Sequence, residues 1–187
     1  MNKIITLSLA AVALITSAQA ATIPFILTGT AGSGLRVGNE PVSSGTGSGG
    51  ANGPGISFDT LSLALAINVA WGTDFGFTNL TGVVNGQHIH GPTAANNGSG
   101  FTQTAAVLFN LTTAINAATG GNISNSITLT SAQQTDLFNG KYYLNLHTAT
   151  NGGGEVRGFL VQAAPEPGAA GLLGLGTLLL AARRRRA

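Results

Sequence analysis

Three histidines are the residues of this chain best suited to chemistry. His88 and His90 stand one residue apart in "QHIHGPTAANNG", and His147 lies in "YYLNLHTATNGGGEVRG". On a strand, His88 and His90 point to one face with Cα atoms about 6.5 to 7 Å apart, a spacing that suits two ligands on one metal. With His147 arriving from a neighbouring strand, three imidazoles and an open position match a zinc or copper site. A metal-dependent redox or hydrolytic enzyme is the function such a site would serve. The competing reading is structural. A His-x-His-Gly-Pro segment ends a strand, its imidazoles bond nearby backbone, and Gly91-Pro92 starts the turn.

Other chemistries find less support. No Gly-x-Ser-x-Gly elbow exposes a nucleophile, and no D-x-D-x-D spacing marks a calcium loop. Glu155 and Arg157, two apart, share one strand face and are expected to pair with each other or with cross-strand neighbours. "TATNGGGE" reads as a turn whose glycines take positive φ. Asn79, Asn97, Asn110 and Asn122 each head an N-x-[S/T] triplet, which the bacterial character of the C-terminus reduces to composition.

The elements that must position these residues are strands. "ISFDTLSLALAINVAW" alternates Leu61, Leu63, Leu65, Ile67, Val69 and Trp71 with small or polar residues, which predicts one long strand with a buried face. "ATIPFILTGT" predicts a first strand, and "GNEPVSSGTGSGGANGPG" a long Gly/Ser-rich loop after it. "AAVLFNLT", with Val107, Phe109 and Leu111 on one side, and "NISNSITLT" predict two more. "SAQQTDLF" predicts a helical turn with Ser131 as its cap. Asn139-Gly140 predicts a hairpin-type reversal into the strand "KYYLNLHTAT", and "GEVRGFLVQ" a last strand. Short strands, Gly-rich turns and little helix make an all-β sandwich or barrel.

Both ends of the 187-residue chain read as targeting segments. Residues 1–20 carry Lys3, an apolar run and a small-residue site, which predicts a signal peptide, helical while it acts, cleaved between Ala20 and Ala21. Residues 165–187 hold Pro165, Glu166 and Pro167, then an apolar run to Ala182 and a cluster of Arg183, Arg184, Arg185 and Arg186. That run predicts a hydrophobic helix, marginal for spanning a bilayer, with the arginines cytoplasmic. Between the ends, residues 21–164 fit one domain. Three basic residues against five acidic ones give it a net charge of −2, so the basic balance of the whole chain comes from its tail. Nucleic-acid binding is excluded for want of a basic patch. Without cysteine, packing and ladder hydrogen bonds must hold the core.

The order of Pro-Glu-Pro, apolar run and arginine cluster resembles the PEP-CTERM sorting signal of Gram-negative bacteria. The resemblance implies recognition by an exosortase and the export machinery, transient inner-membrane insertion of the tail, and delivery to the cell surface or extracellular matrix. The body resembles the CHRD domain, the chordin-type module. The family's His-Ile-His-Gly falls on His88 to Gly91, its Tyr-x-x-x-His-Thr on Tyr143 to Thr148, and its Gly-Glu-x-Arg-Gly on Gly154, Glu155, Val156, Arg157 and Gly158. The chain departs from the family at Glu40-Pro41-Val42, where Pro-Pro is usual, and in the segment "TDFGFTNLTGVVNG" before the histidines. The resemblance implies an antiparallel, immunoglobulin-like β-sandwich or barrel and does not imply an enzyme; the chain is read as a non-enzymatic protein. It favours a structural or binding module that meets a surface protein or polysaccharide, with the histidines as fold elements and no cofactor. Cu/Zn superoxide dismutases also carry a His-x-His strand on a β-sandwich, yet they need more histidines, a zinc-ligating Asp and usually a disulfide. A zinc or copper ion on His88, His90 and His147 stays as the alternative.

Overall fold

The computed structural model describes residues 21–94, 101–117 and 120–164. The expected signal peptide, the Ala20 side of its cleavage site, the sorting motif and the C-terminal helix lie outside the described residues. Among those described, no helix is long and apolar enough to cross a membrane.

The described residues form one antiparallel sheet of ten strands with a single short α-helix. In chain order the strands are β1 (Thr22–Thr28), β2 (Leu35–Arg36), β3 (Ser48–Asp59), β4 (Ala64–Gly72), β5 (Val84–His90), β6 (Val107–Asn110), β7 (Thr113–Asn116), β8 (Gly120–Thr128), β9 (Tyr143–Thr148) and β10 (Val156–Gln162). Hydrogen bonding runs β6-β5-β9-β10-β1-β3-β4-β8-β7, with β2 wedged between β10 and β3. The two ends of this path, β6 and β7, are separated in sequence by Leu111 and Thr112 alone, so the chain itself links them.

Alternation explains the core. Leu65, Ile67, Val69 and Trp71 of β4 are buried and pack in one cluster with Phe25 and Leu27 of β1, Phe58 of β3, Ile89 of β5 and Leu144 and Leu146 of β9. Side chains two apart share a face, so on β5 and β9 the core takes Ile89, Leu144 and Leu146. The opposite face is left to His88, His90, Tyr143, Asn145 and His147. The helix α1 (Ser131–Phe138) covers one end of the core, where Phe138 meets Phe25 and Phe58 at 5.7 Å between ring centroids in each pair.

Several local expectations are corrected. The long strand is broken at residues 60–63, because the Asp59 carboxylate accepts bonds from the N–H groups of Leu61 and Ser62 and from the Ser62 hydroxyl and so closes a tight turn. Leu63 there has φ of 56° and Leu61 is 69 % exposed, while the rest of the pattern lies in β4 as expected. Part of the Gly/Ser-rich loop is strand β3. Gly49 pairs with Trp71, and a Cβ at Gly49 would stand 2.6 Å from the Ala70 carbonyl oxygen, so the ladder needs a glycine there. The irregularity between Ala51 and Ile56 lets the strand absorb the extra residues as a bulge. Val107 is exposed rather than aligned with Phe109 and Leu111, since the β5–β6 register shifts between Ile89 and His90.

The helix cap is Thr130, not Ser131. The Thr130 hydroxyl accepts from Gln133 N–H while the Gln133 side chain accepts from Thr130 N–H, a reciprocal cap worth about 1 kcal/mol. Asn139 and Gly140 end this helix rather than turning a hairpin. Gly140 has φ of 65° and donates to the Leu137 carbonyl, and Lys141 N–H reaches back to Asp136.

Candidate metal centre

Strand pairing brings the three histidines together. In the β5–β9 ladder His90 stands opposite Tyr143, His88 opposite Asn145 and Gly86 opposite His147. His147 is thus the diagonal neighbour of His88 on the face that turns away from the core. One nitrogen from each of the three rings lies within 4.8 Å of the others, and ring centroids are 4.9 to 5.8 Å apart. Metal–nitrogen bonds near 2.0 Å put ligand atoms about 3.4 Å apart, so side-chain adjustments of about 1 Å would bring all three onto one ion. The diagonal is what the linear spacing of the histidines could not supply.

Backbone carbonyls settle which nitrogens of two rings are free to bind a metal. His90 Nδ1 lies 3.0 Å from the Ala105 oxygen and His147 Nδ1 lies 2.9 Å from the Gly152 oxygen. A carbonyl only accepts, so each of these nitrogens carries the proton and leaves its Nε2 with a lone pair. His90 Nε2, His147 Nε2 and His88 Nδ1 are all buried and have no hydrogen-bond partner among the described residues. An unpartnered buried polar atom costs about 1 to 3 kcal/mol, and three nitrogens on one face are what a cation would satisfy. Burial and the neighbouring rings of His147 and His90 hold His88 below its ordinary imidazole value. Burial does the same for His90, against the Ala105 bond and aided by His147 and Arg157. Both rings are therefore neutral at pH 7, as metal ligands must be.

The glycine that sequence reasoning passed over is Gly86. A Cβ there would stand 3.1 Å from His88 Cε1 and 3.4 Å from His147 Cδ2, so the missing side chain is what clears room for the imidazoles. Its signal was present in "NGQHIH": the residue two before His88 shares its face.

A layer of aromatic and cationic side chains supports the rings. His90 stacks on Tyr143, whose hydroxyl donates to the Ala105 oxygen at 3.3 Å and accepts from Ala105 N–H at 3.2 Å. The Arg157 guanidinium carbon lies 4.9 Å from the centre of the Tyr143 ring. Its nitrogens donate to the carbonyls of Asn39, Gln103 and Phe101, which pins the segment carrying Ala105 over the site. This positioning of a ligand through backbone is the usual second layer of a metal centre.

Glu155 and Arg157 do not pair with each other. Glu155 accepts from Thr81 N–H and hydroxyl, from the Thr148 hydroxyl and from the Asn151 amide. Burial raises the Glu155 carboxyl, but these bonds outweigh it and hold it below its ordinary value. Arg157 faces Glu40 instead, at 4.0 Å. Thr81 did not stand out in the sequence and Glu40 did so only in the departure from the family pattern, since both lie far along the chain from the strands they serve. Of the glycines in "TATNGGGE", Gly154 takes positive φ, 130°, and it does so against the side chains of Asn145 and Glu40.

Residues 26–160 match the CHRD domain. The chain belongs to that family. No curated protein and no solved structure matches it at a significant level. In this CHRD domain, the segments that carried the resemblance lie on both faces of the β5–β9–β10 ladder. Gly91 packs on Tyr142, Tyr143 lies under His90, Thr148 holds Glu155, and Gly158 gives Gly34 and Leu27 room to approach β10. Membership fits an exported binding module.

Proposed function

We propose that this CHRD-domain protein is a non-catalytic metal-binding module of the cell exterior, holding one transition-metal ion on His88, His90 and His147. The observation that carries the reading is the convergence of three buried, unpartnered imidazole nitrogens, two of them with their ring protons tied to backbone carbonyls. Binding is favoured over catalysis because the converging group among the described residues holds no carboxylate to act as a general base beside the ion. The link between β6 and β7 through Leu111 and Thr112 supports a closed, barrel-like sandwich as the rigid frame for the site.

Delivery belongs to the same proposal. The signal segment and the Pro165-Glu166-Pro167 tail with its four arginines support export and exosortase handling, with the tail in the inner membrane before processing. Outside the cell, the sparsely charged β surface would meet a surface protein or a polysaccharide.

Elemental analysis of the protein recovered from the exported fraction tests the metal. One zinc or copper ion per chain is expected, lost in His90→Asn and in His147→Asn. Trace metal only, with none taken up from either salt on loading, would overturn the reading.

A further inference from the structure

The metal-binding reading leaves the ion's identity open, and the surroundings of the three rings narrow it. We infer that the centre is selective for monovalent copper over zinc and divalent copper. The inference rests on the proposed metal site and concerns which ion that site takes.

Charge is the first ground. Among the described residues the converging group is three imidazoles with no carboxylate in it, and the chain has no cysteine. The donors therefore bring no negative charge to offset a cation. The charged side chain that acts on His90 is the Arg157 guanidinium, which repels a positive ion. The desolvation penalty of a buried ion rises with the square of its charge, so a divalent ion suffers far more here than a monovalent one.

Coordination number is the second. Zinc takes four ligands and fills the last place with water where the protein supplies three, and divalent copper prefers a tetragonal set. Here the three facing nitrogens are out of contact with solvent. Tyr143 lies flat against His90 on one side, and the Ala105 and Gly152 carbonyls fix the outer edges of two rings. Three nitrogen donors with no charged ligand among them suit a monovalent d10 copper ion, which is satisfied by three in a plane.

Anaerobic titration of the full exported protein with copper(I) against a competing bicinchoninate chelator, and separate titrations with zinc(II) and copper(II), test the selectivity. Copper(I) is expected to bind more tightly than zinc by on the order of tenfold or more, the effect of one extra unit charge near a guanidinium. Asn145 stands opposite both His88 and Arg157 in the ladders, and Asn145→Asp would set a carboxylate against that positive charge. The preference should narrow in this variant as zinc binding strengthens. Zinc or copper(II) bound as tightly as copper(I) by the parent protein would overturn the inference and leave the metal site standing. Failure to bind any of the three would instead sink the metal-binding reading itself. A parent preference that Asn145→Asp leaves unchanged would overturn the role given to charge.

Discussion

The imidazole of His90 lies parallel to the phenol ring of Tyr143, 4.8 Å between centroids and 5° between planes. The two residues are cross-strand partners in the β5–β9 ladder, so the stack is built by register rather than by a loop. Tyr143 is itself held at its hydroxyl by both backbone groups of Ala105, and Ala105 is the residue whose carbonyl fixes the proton of His90. One aromatic side chain therefore governs both the plane and the tautomer of a proposed metal ligand.

Two substitutions at Tyr143 separate these roles. Tyr143→Phe keeps the stack and loses the bonds to Ala105, which should cost about 1 kcal/mol of stability and leave most of the metal affinity. Tyr143→Leu removes the ring surface on which His90 rests. Loss of such a supporting group lowers affinity by about 10- to 100-fold, and chelator competition on the two variants would detect the difference. Equal affinity in both would mean that the stack does not position His90.

Gly86→Ala tests the space around the rings. Its Cβ would press on His88 and His147 at 3.1 and 3.4 Å, contacts that shift side chains by tenths of an ångström without breaking the ladder. Thermal unfolding of the metal-free protein should move little, while metal affinity falls on the order of tenfold. A large drop in melting temperature with affinity intact would contradict this assignment.

Glu155 tests the frame. Its carboxylate accepts bonds from Thr81, Thr148 and Asn151 while wholly buried, and Gln at this position would turn an amide donor toward those hydroxyl and amide groups. Glu155→Gln should lose at least about 2 kcal/mol in chemical denaturation near pH 7. The pH dependence has a definite sign. Because the folded carboxyl titrates below its unfolded value of 4.5, its contribution is present above pH 4.5 and disappears as pH falls through the lower folded value. The variant should lack that part of the acid limb.

How far the sequence disclosed this site depends on the range of each contact. Strand pattern alone put His88 and His90 on one face, and the alternation of Leu65, Ile67, Val69 and Trp71 located the core. His147 was recognised as a residue but not as a neighbour, because its diagonal relation to His88 is set by the register of β9. Glu40 and Arg157 are brought to 4.0 Å by the meeting of β10 with the turn after β2, a contact between distant segments that no local pattern encodes. The turn at Leu61 to Leu63 was hidden for the opposite reason. Its leucines continue the period of β4, and only the side-chain bonds of Asp59 end the strand.

Glu40 makes the strongest pH prediction. Its side chain is 5 % exposed and faces Arg157, but that guanidinium is already engaged by the carbonyls of Asn39, Gln103 and Phe101. Burial therefore dominates over the attraction of Arg157, and the Glu40 carboxyl is pushed up to about 7. A folded value above the unfolded 4.5 means that the native state holds a proton which the unfolded chain has released. The stabilising effect of that proton is complete below pH 4.5 and is lost as pH rises through about 7. At 1.36 kcal/mol for each pH unit, the loss is at most about 3 kcal/mol. Glu155 acts in the opposite direction below pH 4.5, and His88 and His90, held below their ordinary 6.5, oppose Glu40 as pH falls through their folded values, so the Glu40 contribution is read from the difference between parent and variant. Glu40→Gln stays neutral at every pH and retains the carbonyl partners of Arg157. It should match the parent at pH 4, exceed it at pH 8, and flatten the decline between them in urea denaturation. A difference between parent and Glu40→Gln that stays the same from pH 4 to pH 8 would show that Glu40 is ionised in the fold and paired with Arg157 after all.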